Sequence, residues 1–173
     1  IRVRFVLDGS GSMSESSKFN NLTRSEIVQM IAVLFFESFN TAEQRIKNKY
    51  GNKIPITVDT EVYVFGDGSN LIKPFYKDIG ENIYNDEFRR AQNIKAFSQI
   101  NPNHGSTNSH LSWQQIDDLI DDDYLAKVKK GEINEFIVEV TDGGNTGGDN
   151  AHVLQNKIIK KLDNFGITVM GLQ

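Results

Sequence analysis

The sequence has 173 residues, the usual size of one domain, so we expect a single domain over residues 1–173. Apolar residues make up 38% and charged residues 24% of the chain, which is enough to bury a core and excludes a disordered tail. The net charge of −4 disfavours nucleic acid as a partner, because a surface that follows phosphates is basic. The longest apolar run, residues 30–36, is too short for a transmembrane segment, which needs about 20 residues.

The sequence contains no cysteine, which excludes a disulfide framework and a thiolate metal site. Any metal ion must therefore be held by oxygen or by imidazole. The chain opens directly on a strand-like segment without a basic and then apolar leader, so we expect that a leader was removed or that this is a cut-out domain. Absence of cysteine fits reducing and oxidising compartments alike, and the sequence leaves the location open between the extracellular surface and the bacterial cytoplasm.

The first elements in the chain are a strand and a long helix. Residues 2–7 are rich in β-formers and end in the turn-forming residues 8–12, which predicts a strand followed by a loop. Thr23 and Glu26 have the spacing of a capping box, and apolar residues then recur with helical periodicity. A long amphipathic helix is therefore predicted to begin there and to run to about Lys49.

A hairpin and a weaker helix follow. Residues 58–65 alternate in the manner of a strand, and a glycine-containing turn leads into a second short run at residues 71–75. Residues 81–92 are a helix candidate, and residues 93–110 contain enough turn formers to predict a loop.

The second half of the chain contributes two helices and two strands. Ser112 to Gln115 has the pattern of another capping box, and the apolar spacing after it predicts a helix that continues through Leu125 and Val128. Residues 136–140 form a buried type of strand that runs into the polar loop 141–149.

The last elements are a helix and a strand. Asp149 is predicted to cap the helix that follows the polar loop, and Gly166 is predicted to end it, because glycine accepts the positive φ that follows many helices. Residues 167–172 are predicted to form the final strand.

Strands alternating with helices indicate an α/β fold: a doubly wound, mostly parallel open sheet with helices on both faces. In such folds, ligands bind in the crevice outside the carboxyl ends of the strands. Two polar loops, residues 8–12 and 141–149, leave strands at that edge.

The loop after the first strand has the composition of a cation site. Asp8, Ser10 and Ser12 alternate, so their side chains can face one point, while Gly9 and Gly11 let the backbone bend closely around an ion. Hydroxyls suit a hard divalent cation such as Mg²⁺, which keeps several waters and few direct carboxylates. By itself this loop is equally compatible with an ordinary turn after a strand.

Two further motifs extend this pattern. The segment DGSGSM at residues 8–13 is followed by Gly-Ser-Thr at 105–107 and by Thr-Asp-Gly at 141–143. The order and spacing resemble the von Willebrand factor type A (VWA) domain, with its DxSxS signature after the first strand, its later threonine loop and its Asp-Gly after the fourth strand. The resemblance covers nearly the whole chain and implies a Rossmann-like fold.

The resemblance also implies a metal-ion-dependent adhesion site. Ser10, Ser12 and Thr107 would ligate Mg²⁺ (or Mn²⁺ or Ca²⁺), while Asp8 and Asp142 would hold it through hydrogen-bonded waters or serine hydroxyls. An acidic residue, Asp or Glu, of a partner protein would fill the open coordination position. The implied function is a non-enzymatic protein-binding module for adhesion or assembly.

Two alternatives stay open at this point. Similar domains work with AAA+ ATPases in metal-insertion or remodelling machines inside bacteria, and nothing in the sequence separates that role from adhesion. A metal-dependent phosphohydrolase could use Asp8 as its nucleophile, but such enzymes place a second aspartate where this sequence has Ser10. The sequence also contains no GxxxxGK[ST] phosphate loop and no GxSxG nucleophile elbow.

Two features depart from a simple match to this family. The chain stops at Gln173, whereas the family usually continues with another strand and a C-terminal helix, so we expect a domain that is trimmed or ends differently. Glu139 lies in a strand expected to be covered on both faces, where a charge needs a partner, and Arg4 on the first strand is the predicted partner.

Overall fold

The computed structural model describes residues 1–18, 21–53, 56–78 and 86–173. The strands are β1 Arg2–Asp8, β2 Asp59–Phe65, β3 Ser69–Lys73, β4 Glu135–Val140 and β5 Thr168–Leu172. The α-helices are α1 Arg24–Tyr50, α2 Asp86–Phe97, α3 Ser109–Leu119, α4 Asp122–Lys129 and α5 Gly148–Asn164, and short 3-10 helices span Gly11–Ser14 and Gly51–Lys53. Within the described ranges, no helix combines the length and the apolar character needed to cross a bilayer.

The five strands form one mostly parallel sheet in the order β3-β2-β1-β4-β5. The central strand β1 pairs in parallel with β2 and β4, β5 adds in parallel to β4, and β3 is antiparallel at the other edge. The predicted doubly wound α/β fold is confirmed. Since Leu7 lies opposite Val140, the loops that follow β1 and β4 leave the sheet side by side.

Helices cover both faces of the sheet and divide the core in two. On one face, Phe5 packs with Phe35 and Phe36 of α1 at ring-centroid distances of 5.9 and 5.3 Å. On the other face, Val6 belongs to a cluster with Trp113 of α3 and with residues of α5. Because helices cover both faces of the sheet, every residue of β1 after Arg2 is buried, including the charged Arg4 and Asp8.

Helix α1 begins where the sequence predicts. Thr23 is the N-cap: its hydroxyl accepts from the Glu26 backbone N–H at 3.3 Å, and its own N–H donates to Glu26 Oε2 at 2.7 Å. The predicted capping box is therefore confirmed. The helix ends at Tyr50, and Gly51 follows with a φ of 60°.

The predicted helix at residues 81–92 is shifted. Residues 81–85 lie outside the described part of the chain, and α2 continues to Phe97, so the prediction of a loop from residue 93 was wrong. Phe97 packs on Phe36 with ring centroids 4.7 Å apart. The local sequence of α2 favours a helix only weakly, and this aromatic contact with α1 stabilises its last turn.

The predicted capping box at Ser112 was also wrong, because α3 already begins at Ser109. Ser112 lies inside the helix, fully buried, and its hydroxyl contacts the Ser69 hydroxyl of β3 at 2.7 Å. The helix predicted to continue through Leu125 and Val128 breaks at Ile120, and α4 restarts with Asp121 as N-cap, whose carboxylate accepts from the Tyr124 N–H at 2.7 Å.

The N-terminus of α5 also differs from the prediction. Gly147 occupies the N-cap position, and Asp149 lies in the first turn of the helix. There its carboxylate interacts favourably with the positive end of the helix dipole but does not cap the helix. Gly166 has a φ of 92° just after the helix, as predicted for the residue that ends it.

Arg4 and Glu139 are not partners. Register places Ile137 opposite Arg4 and Val6 opposite Glu139, so the two charges lie at different levels of the sheet. Arg4 instead forms ion pairs with Glu61 of β2 and with Glu135 of β4, the latter at 2.5 Å.

The Glu139 carboxylate lies on the α3 and α5 side of the sheet. It accepts from Trp113 Nε1 at 3.4 Å and from Gln155 Nε2 at 3.1 Å. Neutral donors therefore take the place of the predicted arginine.

Candidate metal centre

Three loops meet at the carboxyl ends of β1 and β4. The first follows Asp8, the last residue of β1, and the second follows Val140, the last residue of β4. The third, residues 101–108, joins α2 to α3 and packs against the other two. The structure therefore brings the three sequence motifs to one edge of the sheet.

Asp8 ties the first two loops together. Its carboxylate is fully buried, with Oδ1 accepting from the Ser10 backbone N–H at 2.8 Å and Oδ2 accepting from the Thr141 hydroxyl at 2.7 Å. Sequence reasoning gave Thr141 no role, although it stands directly before the Asp-Gly motif that was recognised. Both oxygens of Asp8 therefore orient the loops around the site.

The hydroxyl groups of Ser10 and Ser12 lie next to one another. Their Oγ atoms are 3.0 Å apart, and Ser12 Oγ donates to Asp142 Oδ1, also at 3.0 Å. Two ligands of an octahedral Mg²⁺ ion, each about 2.1 Å from the metal and at right angles, lie about 3.0 Å apart. The separation of the two hydroxyls therefore fits adjacent positions around such an ion.

The loop that carries Thr107 is attached to both of the other loops. The Gly11 N–H donates to the Gly105 carbonyl at 2.8 Å. The Thr107 carbonyl accepts from the Thr146 N–H at 2.7 Å and from the Thr146 hydroxyl at 3.0 Å. These bonds fix the backbone of the threonine loop between the loop after β1 and the loop after β4. Thr107 itself is a buried residue.

Asp67, in the turn between β2 and β3, supports the threonine loop from the outside. Its Oδ1 accepts from the Ser106 N–H at 2.8 Å, and its own N–H donates to the His104 carbonyl at 2.5 Å. The hydrogen bond from Ser106 lowers the pKa of the Asp67 carboxyl. Gly105 has a φ of 80°, and a Cβ there would overlap the Asp67 carboxylate, so this approach requires glycine. Nothing in the sequence pattern singled out Asp67.

Arg24 is a third residue that sequence reasoning missed. It is the first residue of α1, and its Nη1 contacts Asp142 Oδ2, on the other side of the carboxylate from Ser12. Its Nη2 lies 3.0 Å from Glu15 Oε2. The ion pair with Asp142 raises the pKa of Arg24. The only available signal was its place directly after the capping residue Thr23.

The donor set consists of oxygen atoms. Across the ranges that the structure describes, no three or more His, Cys, Asp or Glu side chains are grouped so that they could hold a metal ion. His110, beside the threonine loop, instead contacts Asn145 Oδ1 through its Nδ1 at 3.1 Å. Hydroxyls backed by two carboxylates fit a hard divalent cation better than a soft transition metal.

Solved structures share this architecture, although no family model and no curated protein sequence matches the chain. BatB, a conserved hypothetical protein from Bacteroides thetaiotaomicron, is 16% identical with a TM-score of 0.58 over 99% of this chain and 65% of its own. The SpRpn10 VWA domain is 9% identical with a TM-score of 0.54, over 98% of this chain and 72% of that one.

A third solved structure carries a metal. Proximal thread matrix protein 1 from the mussel byssus, with a zinc-occupied MIDAS motif, is 15% identical with a TM-score of 0.55, over 98% of this chain and 34% of its own. These likenesses, together with the sheet order, show that this chain has the fold of a von Willebrand factor type A domain. It spans just under two thirds of BatB and about a third of the mussel protein.

Proposed function

We propose that residues 1–173 form a single VWA domain that acts as a metal-dependent, non-catalytic protein-binding module for adhesion or assembly. A divalent cation, Mg²⁺ or alternatively Mn²⁺ or Ca²⁺, is bound at the edge of the sheet. The observation that carries the proposal is the 3.0 Å separation of the Ser10 and Ser12 hydroxyls, with Asp142 accepting from Ser12 at the same distance.

The family resemblance supplies the proposed roles, and the contacts of Asp8, Ser12 and Asp142 support them. Ser10, Ser12 and Thr107 supply neutral hydroxyl ligands, while Asp8 and Asp142 orient the loops and accept hydrogen bonds. Since the carboxylates do not bind the ion directly, a bound cation would keep much of its charge and attract the carboxylate of an Asp or Glu on a partner protein.

The zinc-occupied motif of the mussel protein, on the same fold, supports a divalent cation in this position. The contacts of Asp8 favour binding over phosphoryl transfer. A nucleophilic aspartate needs an accessible oxygen, whereas Asp8 is fully buried with both oxygens accepting hydrogen bonds. If the protein hydrolysed a generic phosphate ester with Mg²⁺, and Asp8→Asn abolished that activity, the proposal of a binding module would be wrong.

Calorimetric titration of Mg²⁺ and Mn²⁺ tests the site. Asp8→Asn should weaken binding about 10- to 100-fold, because it removes a charge and loosens the ligand loops. Thr107→Ala should weaken binding less, since a neutral ligand is lost. Asp123→Asn makes the same charge change on α4, where the Asp123 side chain is 78% exposed, and should leave binding unchanged.

Thermal unfolding of each variant without cation shows whether it is folded. Equal cation binding by the folded Asp8→Asn variant and the wild type would contradict the site.

Acetate is the simplest probe of the open coordination position. At constant ionic strength, replacing chloride by acetate should raise the affinity of the wild type for Mn²⁺, because acetate that binds the open position of the bound ion favours the cation-bound state. No change would contradict the carboxylate partner.

A further inference from the structure

We propose that Arg24 is a built-in counterion of this site: it binds Asp142 in the cation-free protein and lowers the affinity for divalent cations. This inference rests on the proposed function, since it concerns the same site. It adds a residue that lies outside the three loops and that tunes the strength of cation binding.

The Asp142 carboxylate is shared between Arg24 and the proposed ligand Ser12. Oδ1 accepts from Ser12 Oγ at 3.0 Å, and Oδ2 contacts Arg24 Nη1. The Asp142 side chain is 12% exposed and the Arg24 side chain is 37% exposed, so water screens this ion pair only in part. A guanidinium therefore lies one carboxylate away from the proposed ligand hydroxyls.

Arg24 is held in this position from both ends. The capping box at Thr23 fixes the start of α1, and the Arg24 N–H donates to the Glu15 carbonyl at 3.1 Å. At the other end, Arg24 Nη2 lies 3.0 Å from the Glu15 carboxylate. Because Glu15 already holds the Arg24 side chain, little conformational freedom is lost when the guanidinium contacts Asp142, and this favours the contact.

The charges define the consequence. Asp8 and Asp142 offer two negative charges to a dication, and Arg24 offsets one of them. The Glu15 side chain is 64% exposed, so solvent screens most of its own contribution. A bound dication and the Arg24 guanidinium repel each other across the Asp142 carboxylate. At an intermediate effective dielectric, this repulsion lowers the cation affinity about tenfold.

Mn²⁺ titration of two charge variants tests the role of Arg24. Arg24→Gln should bind Mn²⁺ about tenfold more tightly than the wild type, while Arg24→Lys, which keeps the charge, should stay within about threefold. Arg90→Gln is the matched control, because the Arg90 side chain is 60% exposed and pairs with Glu37 between α2 and α1. It should bind Mn²⁺ like the wild type.

Thermal unfolding is a second readout, and its measurement in EDTA does not depend on cation binding. In EDTA, Arg24→Gln should unfold at a lower temperature than Arg90→Gln, because Asp142 Oδ2 loses its partner. Saturating Mn²⁺ should remove or reverse this difference, since the tighter binding stabilises the folded variant more.

The possible failures are distinguishable. If Arg24→Gln binds Mn²⁺ no more tightly than Arg90→Gln, the role of Arg24 is wrong while the site itself stands. If the wild type and every variant, Asp8→Asn included, fail to bind Mn²⁺ although folded, both the site and the role of Arg24 are wrong. Equal unfolding temperatures of Arg24→Gln and Arg90→Gln in EDTA would contradict the ion pair with Asp142.

Discussion

Glu139 lies beneath the candidate site as an acidic residue among neutral donors. Burial raises the pKa of Glu139, and hydrogen bonds from Trp113, Ser109 and Gln155 lower it only in part. The Asp8 carboxylate adds a further raising effect. Ionised Glu139 therefore destabilises the fold.

This shift predicts a pH-dependent effect of Glu139→Gln. Since the pKa of Glu139 is higher in the folded than in the unfolded protein, the folded state binds more protons, and stability falls as pH rises through the interval between the two values. Glutamine carries no charge, so the variant should be more stable than the wild type at pH 7. This advantage should shrink as the pH approaches 4.

Thermal unfolding at pH 4 and pH 7 measures the effect. Glu132→Gln, which removes an exposed carboxylate near the start of β4, controls for the change in net charge. A Glu139→Gln variant that is less stable than the wild type at pH 7, or whose advantage grows on acidification, would contradict the argument.

At the scale of elements, the first turn of α1 is the part of the helix that matters for the site. The capping box satisfies backbone donors that the helix cannot satisfy itself. It also fixes where the helix starts, and Arg24 is the first helical residue. Helix capping and the charge of the candidate site are therefore linked through consecutive residues.

Thr23→Ala should lower the free energy of unfolding by about 1 kcal/mol, because the hydroxyl that caps the Glu26 N–H is lost. Urea unfolding monitored by circular dichroism measures this. Ser38→Ala removes a hydroxyl from an exposed position in the middle of the same helix and should change stability by less than about 0.5 kcal/mol. Equal effects of the two substitutions would show that the cap contributes nothing.

At the scale of the whole molecule, the sheet holds charges at both of its ends. Toward the start of β1, Arg4 joins Glu61 and Glu135 across three neighbouring strands, and all three side chains are buried. Burial alone would lower the pKa of Arg4, but the two carboxylates outweigh it and raise the pKa. Tyr124 of α4 also donates to Glu135, which attaches a helix to this cluster.

Arg4→Met should destabilise the fold by about 3–5 kcal/mol, because two buried carboxylates are left without their cation. Denaturant unfolding tests this value. Arg90→Met breaks an exposed ion pair and should cost less than about 1 kcal/mol. If Arg4→Met cost no more than Arg90→Met, the buried cluster would not be a stabilising unit of the sheet.

Local patterns in the sequence were sufficient for β1, β2, β4 and β5, for the start of α1, for the glycine that ends α5 and for the adjacency of the Ser10 and Ser12 side chains. They placed the second strand of the hairpin at residues 71–75, whereas β3 spans Ser69–Lys73. These features depend on neighbours within a few positions, where alternation, helical spacing and turn preferences act. The fold class could be predicted for the same reason, since the order of strands and helices restricts the topology.

Packing between distant elements decided the rest. Contact with Phe36 extends α2 to Phe97, register separates Arg4 from Glu139, and a single carboxylate brings Arg24 to Ser12. Arg24 and Asp142 are 118 positions apart in the chain. Because a long charged side chain can reach several partners, only the packed sheet and helices determine which one it meets.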